Sequence, residues 1–272
     1  MTDPPLVRVA ATLAPGADVE LILVQATGIA ESGCEERSAP GGAPELVFWV
    51  PAPRAAAVAD GLGRLGGVAG VASEDAGDGW RDALRAFHRP IRVAGRLMVR
   101  PPWVEPDPGL ADVVIDPGMA FGTGQHATTR GCLELLCGVE PGALADIGCG
   151  SGVLAIAARR LGFEPVAAVD FDPLCVDATL ANARANGVAL TVARRDIATD
   201  PLPEADVVAA NLTSGLLATL ARRLAVRPPR TAVLSGLRPS EADAVAGEWA
   251  ALGLRVRDRR DADDWTALLV AP

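Results

Sequence analysis

The chain has 272 residues, half of them apolar, which is enough for a sizeable core and for one large domain or two. Its formal net charge of −9 argues against a broad phosphate-binding surface, so no direct nucleic-acid partner is expected; a basic protein substrate and simple solubility both remain compatible with it. No apolar run approaches the roughly 18–20 residues that span a bilayer, so no membrane partner is expected, and the N-terminus lacks the basic and apolar regions of a signal peptide. Five cysteines form no CxxC pair and leave an odd count, which suits reduced thiols in the cytoplasm. With two histidines in the whole chain, no metal site is expected.

In chain order, residues 6–10 read as a strand, 18–26 as a helix and 45–50 as a second strand. Helical spacing follows over 54–65, and 67–72 closes the unit as a strand. A β-α-β-β-α-β order would make this part a small α+β, ferredoxin-like half-sandwich. The polar, glycine-rich stretch 74–79 is a credible linker. Residues 80–88 then form a short amphipathic helix that Pro90 stops. The expected division is therefore 1–75 for the small domain, 76–90 for a linker helix and 91–272 for the large domain. A strand pair precedes the Pro101-Pro102 break. Beyond it, strands at 144–147, 166–169, 190–193, 206–210 and 231–234 alternate with helices at 153–161, 174–186, 214–224 and 240–252. That alternation predicts a doubly wound, Rossmann-like α/β sheet, finished by a hairpin over 254–259 and 265–270.

The strongest single signal is Asp146-Ile147-Gly148-Cys149-Gly150-Ser151-Gly152, a buried strand running into a glycine turn that opens a helix. Glycine serves here because a side chain would block a ligand's approach and resist positive φ. The spacing is G-x-G-x-G; the dinucleotide fingerprint would need a glycine at Val153. Twenty residues past Gly150, Asp170 ends the next strand, placed to accept hydrogen bonds from ribose hydroxyls. A nucleoside-type cofactor held by Gly148, Gly150 and Asp170 competes with a turn that only packs a helix. With Asp146 before it, the turn resembles motif I of the S-adenosylmethionine-dependent methyltransferases and points away from NAD.

A second segment, 116–130, carries three glycines and leads into a helix that runs to about 136. Thr128 and Thr129 stand where capping residues belong, and a helix N-terminus attracts a carboxylate such as that of a methionine moiety. Thr129 is read either as a cofactor contact or as a plain N-cap. His126 is either a proton acceptor or a hydrogen-bonded structural residue. At the end of the fourth strand, Asn211 lies at the crevice where α/β sheets bind ligands. Its carbonyl could orient an incoming amine; the alternative is a cap on the next helix. Asn-Leu-Thr-Ser over 211–214 is not the Asn-Pro-Pro-Tyr of base or glutamine methylation, and the chain has no tyrosine. Asp196 is a candidate adenine contact or a solvated loop acid, and Trp103 and Trp265 are read as packing residues.

Together, 116–124 with His126, Thr128 and Thr129, the run 146–157, Leu234-Ser235-Gly236-Leu237 and Asp264-Trp265 resemble the PrmA family. Those enzymes methylate the large-subunit ribosomal protein L-eleven. The likeness is specific from about residue 80 onward, and only architectural over the first 75. It implies S-adenosyl-L-methionine as the cofactor and places Thr129, Gly148, Asp170 and Asn211 on the family's cofactor-binding positions. It also implies a substrate-recognition role for the first domain and repeated methyl transfer to lysine ε-amines and the N-terminal α-amine. Asn211 is the expected catalytic residue, by orienting the amine, and the chain is expected to act as a monomer. Two positions depart from the family's pattern: Ala127, where proline is common, and Thr213-Ser214, where Leu-Ala is usual. The same cofactor chemistry on another protein lysine or a small amine metabolite is the alternative. A module that binds the cofactor without transferring a methyl group is a third reading, opposed by the intact 116–129 loop and by Asn211.

Overall fold

The computed structural model describes residues 6–30, 34–39, 42–75, 88–116 and 124–272. The chain divides into two compact units, Met1–Phe87 and His88–Pro272. Most of the expected linker helix, residues 76–87, lies outside the described residues; residues 88–90 have no regular structure.

In the first unit the order is β1 (Leu6–Leu13), α1 (Val19–Ala30), β2 (Cys34–Ser38), β3 (Pro44–Pro51), α2 (Ala52–Gly63) and β4 (Val68–Asp75). The sheet runs β2-β3-β1-β4 with every pairing antiparallel. This is the expected β-α-β-β-α-β half-sandwich. Alternate residues Val9, Ala11 and Leu13 of β1 and Leu46, Phe48 and Val50 of β3 point into one core with Ile22, Val58 and Leu62 of the helices. Period-two alternation on strands against helical spacing on α1 and α2 accounts for that layer.

The second unit begins with a small sheet of β5 (Ile91–Val93), β6 (Leu97–Arg100) and β7 (Ala111–Val114), in which β6 pairs antiparallel with β5 and parallel with β7. The large sheet follows. Its strands are β8 (Leu144–Ile147), β9 (Val166–Asp170), β10 (Thr191–Arg194), β11 (Val207–Asn211), β12 (Thr231–Leu237), β13 (Arg255–Ala262) and β14 (Trp265–Ala271). They lie in the order β10-β9-β8-β11-β12-β14-β13, all parallel except β14, which runs antiparallel to both neighbours. The parallel strands read as near-continuous apolar runs because both faces are covered. On one face α3 (Ala127–Leu136) and α4 (Val153–Arg160) bury Leu133, Leu136, Val153 and Ile156; on the other α6 (Ser214–Leu224) and α7 (Ala242–Ala250) bury Leu217, Leu220, Val245 and Trp249. The remaining helix, α5 (Pro173–Ala185), packs on β9 and β10. The order in which strands are added reverses between β8 and β11, so the crevice at the carboxyl ends of β8, β9 and β11 is the place where this topology binds ligands. Among the described residues, no helix is long and apolar enough to cross a membrane.

Candidate active site

The glycine turn between β8 and α4 is left-handed at all three glycines, with φ of 78° at Gly148, 54° at Gly150 and 81° at Gly152. Gly152 is the N-cap of α4 and supplies no side chain to it. A Cβ there would come within 2.8 Å of the Thr179 methyl and 3.2 Å of its Cα, so α5 closes on the turn from behind. Arg159 and Arg160 occupy the last turn of α4, where cations complement the helix dipole. Asp170 ends β9 beside the turn. Its Oδ2 accepts the Gly150 amide at 2.9 Å, and its Oδ1 accepts the Asp172 amide at 3.0 Å. A carboxylate has about four acceptor positions, so each oxygen retains capacity for a hydroxyl donor. Next to it the side chain of Phe171 is 61% exposed, with the Arg194 guanidinium 5.3 Å from its ring centroid.

Asp146 is different in kind. It is 1% exposed, one oxygen accepting the Ala155 amide at 3.0 Å while the other has no partner among the described residues. Burial pushes its carboxyl from the ordinary 3.8 up to about 7; the Ala155 hydrogen bond opposes the rise and the nearby Asp170 charge adds to it. An acid whose folded pKa exceeds its unfolded value binds more protons when folded, between those two values. Stability therefore falls as pH rises from 3.8 to about 7 and stays lower above it. Asp146→Asn should flatten that fall, so that its melting temperature rises relative to the parent by roughly a few degrees across the window. Thermal melts over that pH range check this. A constant gap between the two proteins would mean the carboxyl is ionised throughout.

The other wall is built on α3. Its N-cap is His126, not Thr128 or Thr129: the imidazole Nδ1 accepts the Thr128 amide at 3.3 Å, and both threonines lie inside the first turn, buried. The expectation of threonine capping is corrected by this one-residue shift, which turns the two hydroxyls toward β11. There the Asn211 Nδ2 donates to Thr128 Oγ1 at 3.0 Å and approaches Thr129 Oγ1 at 3.4 Å. His126 Nδ1 lies 2.7 Å from Thr128 Oγ1. Because Nδ1 already accepts an amide proton, the hydroxyl donates to Nδ1 and accepts from Asn211. The chain of donors fixes the amide's orientation: its NH₂ is turned onto the threonines, and its carbonyl oxygen has no donor among the described residues. Asn211 does not cap the following helix, whose N-cap is Thr213.

Trp265 packs beside this group. Its ring meets His126 edge-on at 5.1 Å, and the Arg238 guanidinium lies 4.4 Å above it. Glu241 ties that edge down, accepting from Ser214 Oγ at 2.6 Å and from the Arg238 amide at 2.8 Å. The Ser214 hydroxyl holds the Glu241 carboxyl below the usual range. Asp196 accepts the amide of Ala198 at 2.8 Å and so closes its own turn.

The structure thus brings Gly148, Gly150 and Asp170 together at one side of the crevice, and Thr129 and Asn211 together at the other. Sequence reasoning did not name Phe171 here, and it read Trp265 as a packing residue. Phe171 carried a signal, a large apolar side chain directly after the strand-ending acid; Trp265 carried one only through its place in the family-like Asp264-Trp265 pair.

The family model described as ribosomal protein L11 methyltransferase (PrmA) matches residues 65–271. The chain is 45% identical over 197 residues to the ribosomal protein L11 methyltransferase of Dechloromonas aromatica, and 39% identical over 196 residues to that of Symbiobacterium thermophilum. Each match takes in 70% of this chain and 64% of the relative, so somewhat less than two thirds of those curated proteins is spanned. A crystal structure titled ribosomal protein L11 methylase, from Lactobacillus delbrueckii subsp. bulgaricus, superposes with a TM-score of 0.61 at 26% identity, covering 68% of this chain and 98% of that one. The chain belongs to the ribosomal protein L11 methyltransferase (PrmA) family.

Proposed function

We propose that this chain is an S-adenosylmethionine-dependent protein N-methyltransferase acting in the cytoplasm on amino groups of ribosomal protein L11. The observation that carries the reading is Asn211: a neutral amide at the carboxyl end of β11, its NH₂ held by Thr128 and Thr129 and its carbonyl without a donor among the described residues. Family membership supports the substrate, and five free cysteines suit a reducing compartment.

The residues fit the cofactor. Asp170 has acceptor capacity for ribose hydroxyls, Phe171 offers an exposed apolar face for the adenine ring, and the left-handed turn at Gly148 and Gly150 presents backbone where side chains would intrude. The first amides of α3 are the group to receive a carboxylate. When bound, S-adenosylmethionine supplies a methyl group already activated on a sulfonium, so the protein's work is chiefly alignment.

A lysine ε-amine begins near pKa ~10.4 and an α-amine near ~8. A half-buried crevice disfavours the ammonium form of either. Asn211 suits that requirement because its carbonyl accepts an N–H of the neutral amine without a negative charge that would favour protonation. The nitrogen lone pair then points away from Asn211 and toward the cofactor side of the crevice. The first unit, with its own core, is the segment proposed to dock the protein substrate.

Asp170→Ala should weaken S-adenosylmethionine binding by ~1–3 kcal/mol, since hydroxyls lose a charged acceptor and the Gly150 amide is left unpaired. Isothermal calorimetry measures it, and unchanged affinity would remove Asp170 from the site. Intact-mass analysis of purified L11 after incubation with the protein and cofactor should show added methyl groups. One observation favours a different amine with the same chemistry: the family match begins at residue 65, leaving most of the docking unit outside it. L11 that gains no mass, beside another protein that does, would select that reading.

A further inference from the structure

Helix α5 holds the glycine turn and strand β7 at once, through three polar side chains on one face. Thr179 Oγ1 donates to the Gly150 carbonyl at 3.0 Å, and Asn182 Nδ2 donates to the next carbonyl, Ser151, at 2.9 Å. The other end of the same carboxamide, Asn182 Oδ1, accepts the Asp116 amide at 3.2 Å. One turn further along, Asn186 exchanges two hydrogen bonds with Val114, Oδ1 accepting its amide at 2.8 Å and Nδ2 donating to its carbonyl at 2.6 Å.

The spacing explains why two asparagines four apart meet two extended backbone positions two apart, Val114 in β7 and Asp116 just past it. Four residues of helix rise ~6 Å and two residues of strand ~6.6 Å, so the periods match over one step. The edge of β7 away from β6 would otherwise present unpaired amides and carbonyls; the asparagines complete it as a neighbouring strand would. Asn186 serves that edge and also donates to the Asn182 carbonyl one turn back at 2.8 Å, without reaching the glycine turn. Asn182 is buried, 5% exposed, and its two ends reach the glycine turn and the backbone just past β7. Ser151 belongs to the turn whose Gly150 amide binds Asp170, and Asp116 lies two residues past the end of β7.

We propose that Asn182 is a positioning residue for the cofactor pocket, its carboxamide fixing the glycine turn against the end of β7. The inference rests on the cofactor reading above, but the bracket itself is a property of the free protein. A carboxamide is required because one end must donate and the other accept. Asparagine is the short side chain that does both without charge. Loss of the donor removes the bond that Asn182 makes to the Ser151 carbonyl, and the turn is no longer tied to α5 at that point.

The test uses the full chain with two readouts, S-adenosylmethionine affinity by calorimetry and amide hydrogen exchange in the ligand-free protein. Asn182→Asp keeps the acceptor for Asp116 and loses the donor for Ser151. It should bind cofactor about tenfold more weakly, with faster exchange at residues 148–153 and unchanged exchange at 112–116. Asn186→Ala should speed exchange at 112–116 alone and bind cofactor as the parent does. Two results overturn the proposal: parental affinity and parental exchange at the turn in Asn182→Asp, or an equal loss of affinity in Asn186→Ala, which would reduce the effect to general loosening. If Asn182→Asp does not fold, Asn182→Ser, too short to span both partners, is read by the same two quantities. Failure of the parent to bind S-adenosylmethionine would count against the cofactor reading, while the exchange pattern still decides the bracket.

Discussion

Gly236→Ala is expected to lower turnover by at least ~100-fold and stability by ~3 kcal/mol, more than any other added methyl group at the carboxyl edge of the sheet. Gly236 lies at the bend in β12 with φ of 86°, a conformation that L side chains rarely adopt. A Cβ built there lies 2.7 Å from the Leu212 carbonyl carbon and 3.0 Å from its amide nitrogen, and closer still to the carbonyl oxygen. All three are backbone atoms, so no rotamer change relieves the clash. Leu212 is in turn held by its amide to the Ser235 carbonyl at 2.9 Å. Either β12 or Leu212 must move, and Leu212 is covalently next to Asn211. Displacement of a positioning group by even about 1 Å can cost on the order of 100-fold. Gly148→Ala makes a useful comparison, because its Cβ meets the far end of the flexible Leu212 side chain. Turnover and a thermal melt of Gly236→Ala check the expectation. Near-parental turnover would show that the Asn211 position tolerates a shifted Leu212.

The parts of this fold that were legible in the sequence are those where a residue's role depends on its immediate neighbours. The strand 144–147 and helix 214–224 have the bounds that apolar runs and glycine or serine boundaries suggested. The glycine turn and Asp170 were legible because twenty residues of strand and helix separate them in a fixed way. β2 was not, since Cys34-Glu35-Glu36-Arg37-Ser38 is a mostly polar edge strand with no buried face to impose alternation. Nor was β7, four residues long and completed on one side by side chains of α5. The side-chain pairings at the site that were not legible share one property. Asn182 meets Asp116 across 66 positions, and Thr128 meets Asn211 across 83; the meaning of each side chain exists only in the pairing. His126 illustrates the finer limit. Hydroxyl residues are the stronger caps in general, yet here an imidazole takes the cap and frees both threonine hydroxyls for Asn211.

Asn211→Ala and Asn211→Asp should separate orientation from binding. Alanine removes the carbonyl that orients the amine and leaves Gly150 and Asp170 intact, so turnover should fall on the order of 100-fold with cofactor affinity within a few-fold of the parent. Aspartate keeps an acceptor facing the crevice but turns a second oxygen onto Thr128. That hydroxyl already donates to His126 Nδ1, so two acceptors would compete for one proton and the His126 contact loosens. The new negative charge also favours the ammonium form of a bound lysine, raising its pKa. The fraction of substrate in the reactive neutral form therefore falls at any given pH, and the pH–rate profile of Asn211→Asp should move to higher pH. A helix-capping residue would give neither effect, because aspartate caps as well as asparagine. Steady-state rates across the alkaline range, with calorimetry of the cofactor alongside, make the distinction. Unchanged turnover in both variants would transfer the orientation of the amine to other groups at the crevice, and an unshifted profile in Asn211→Asp would mean that the amine's proton leaves before Asn211 is reached.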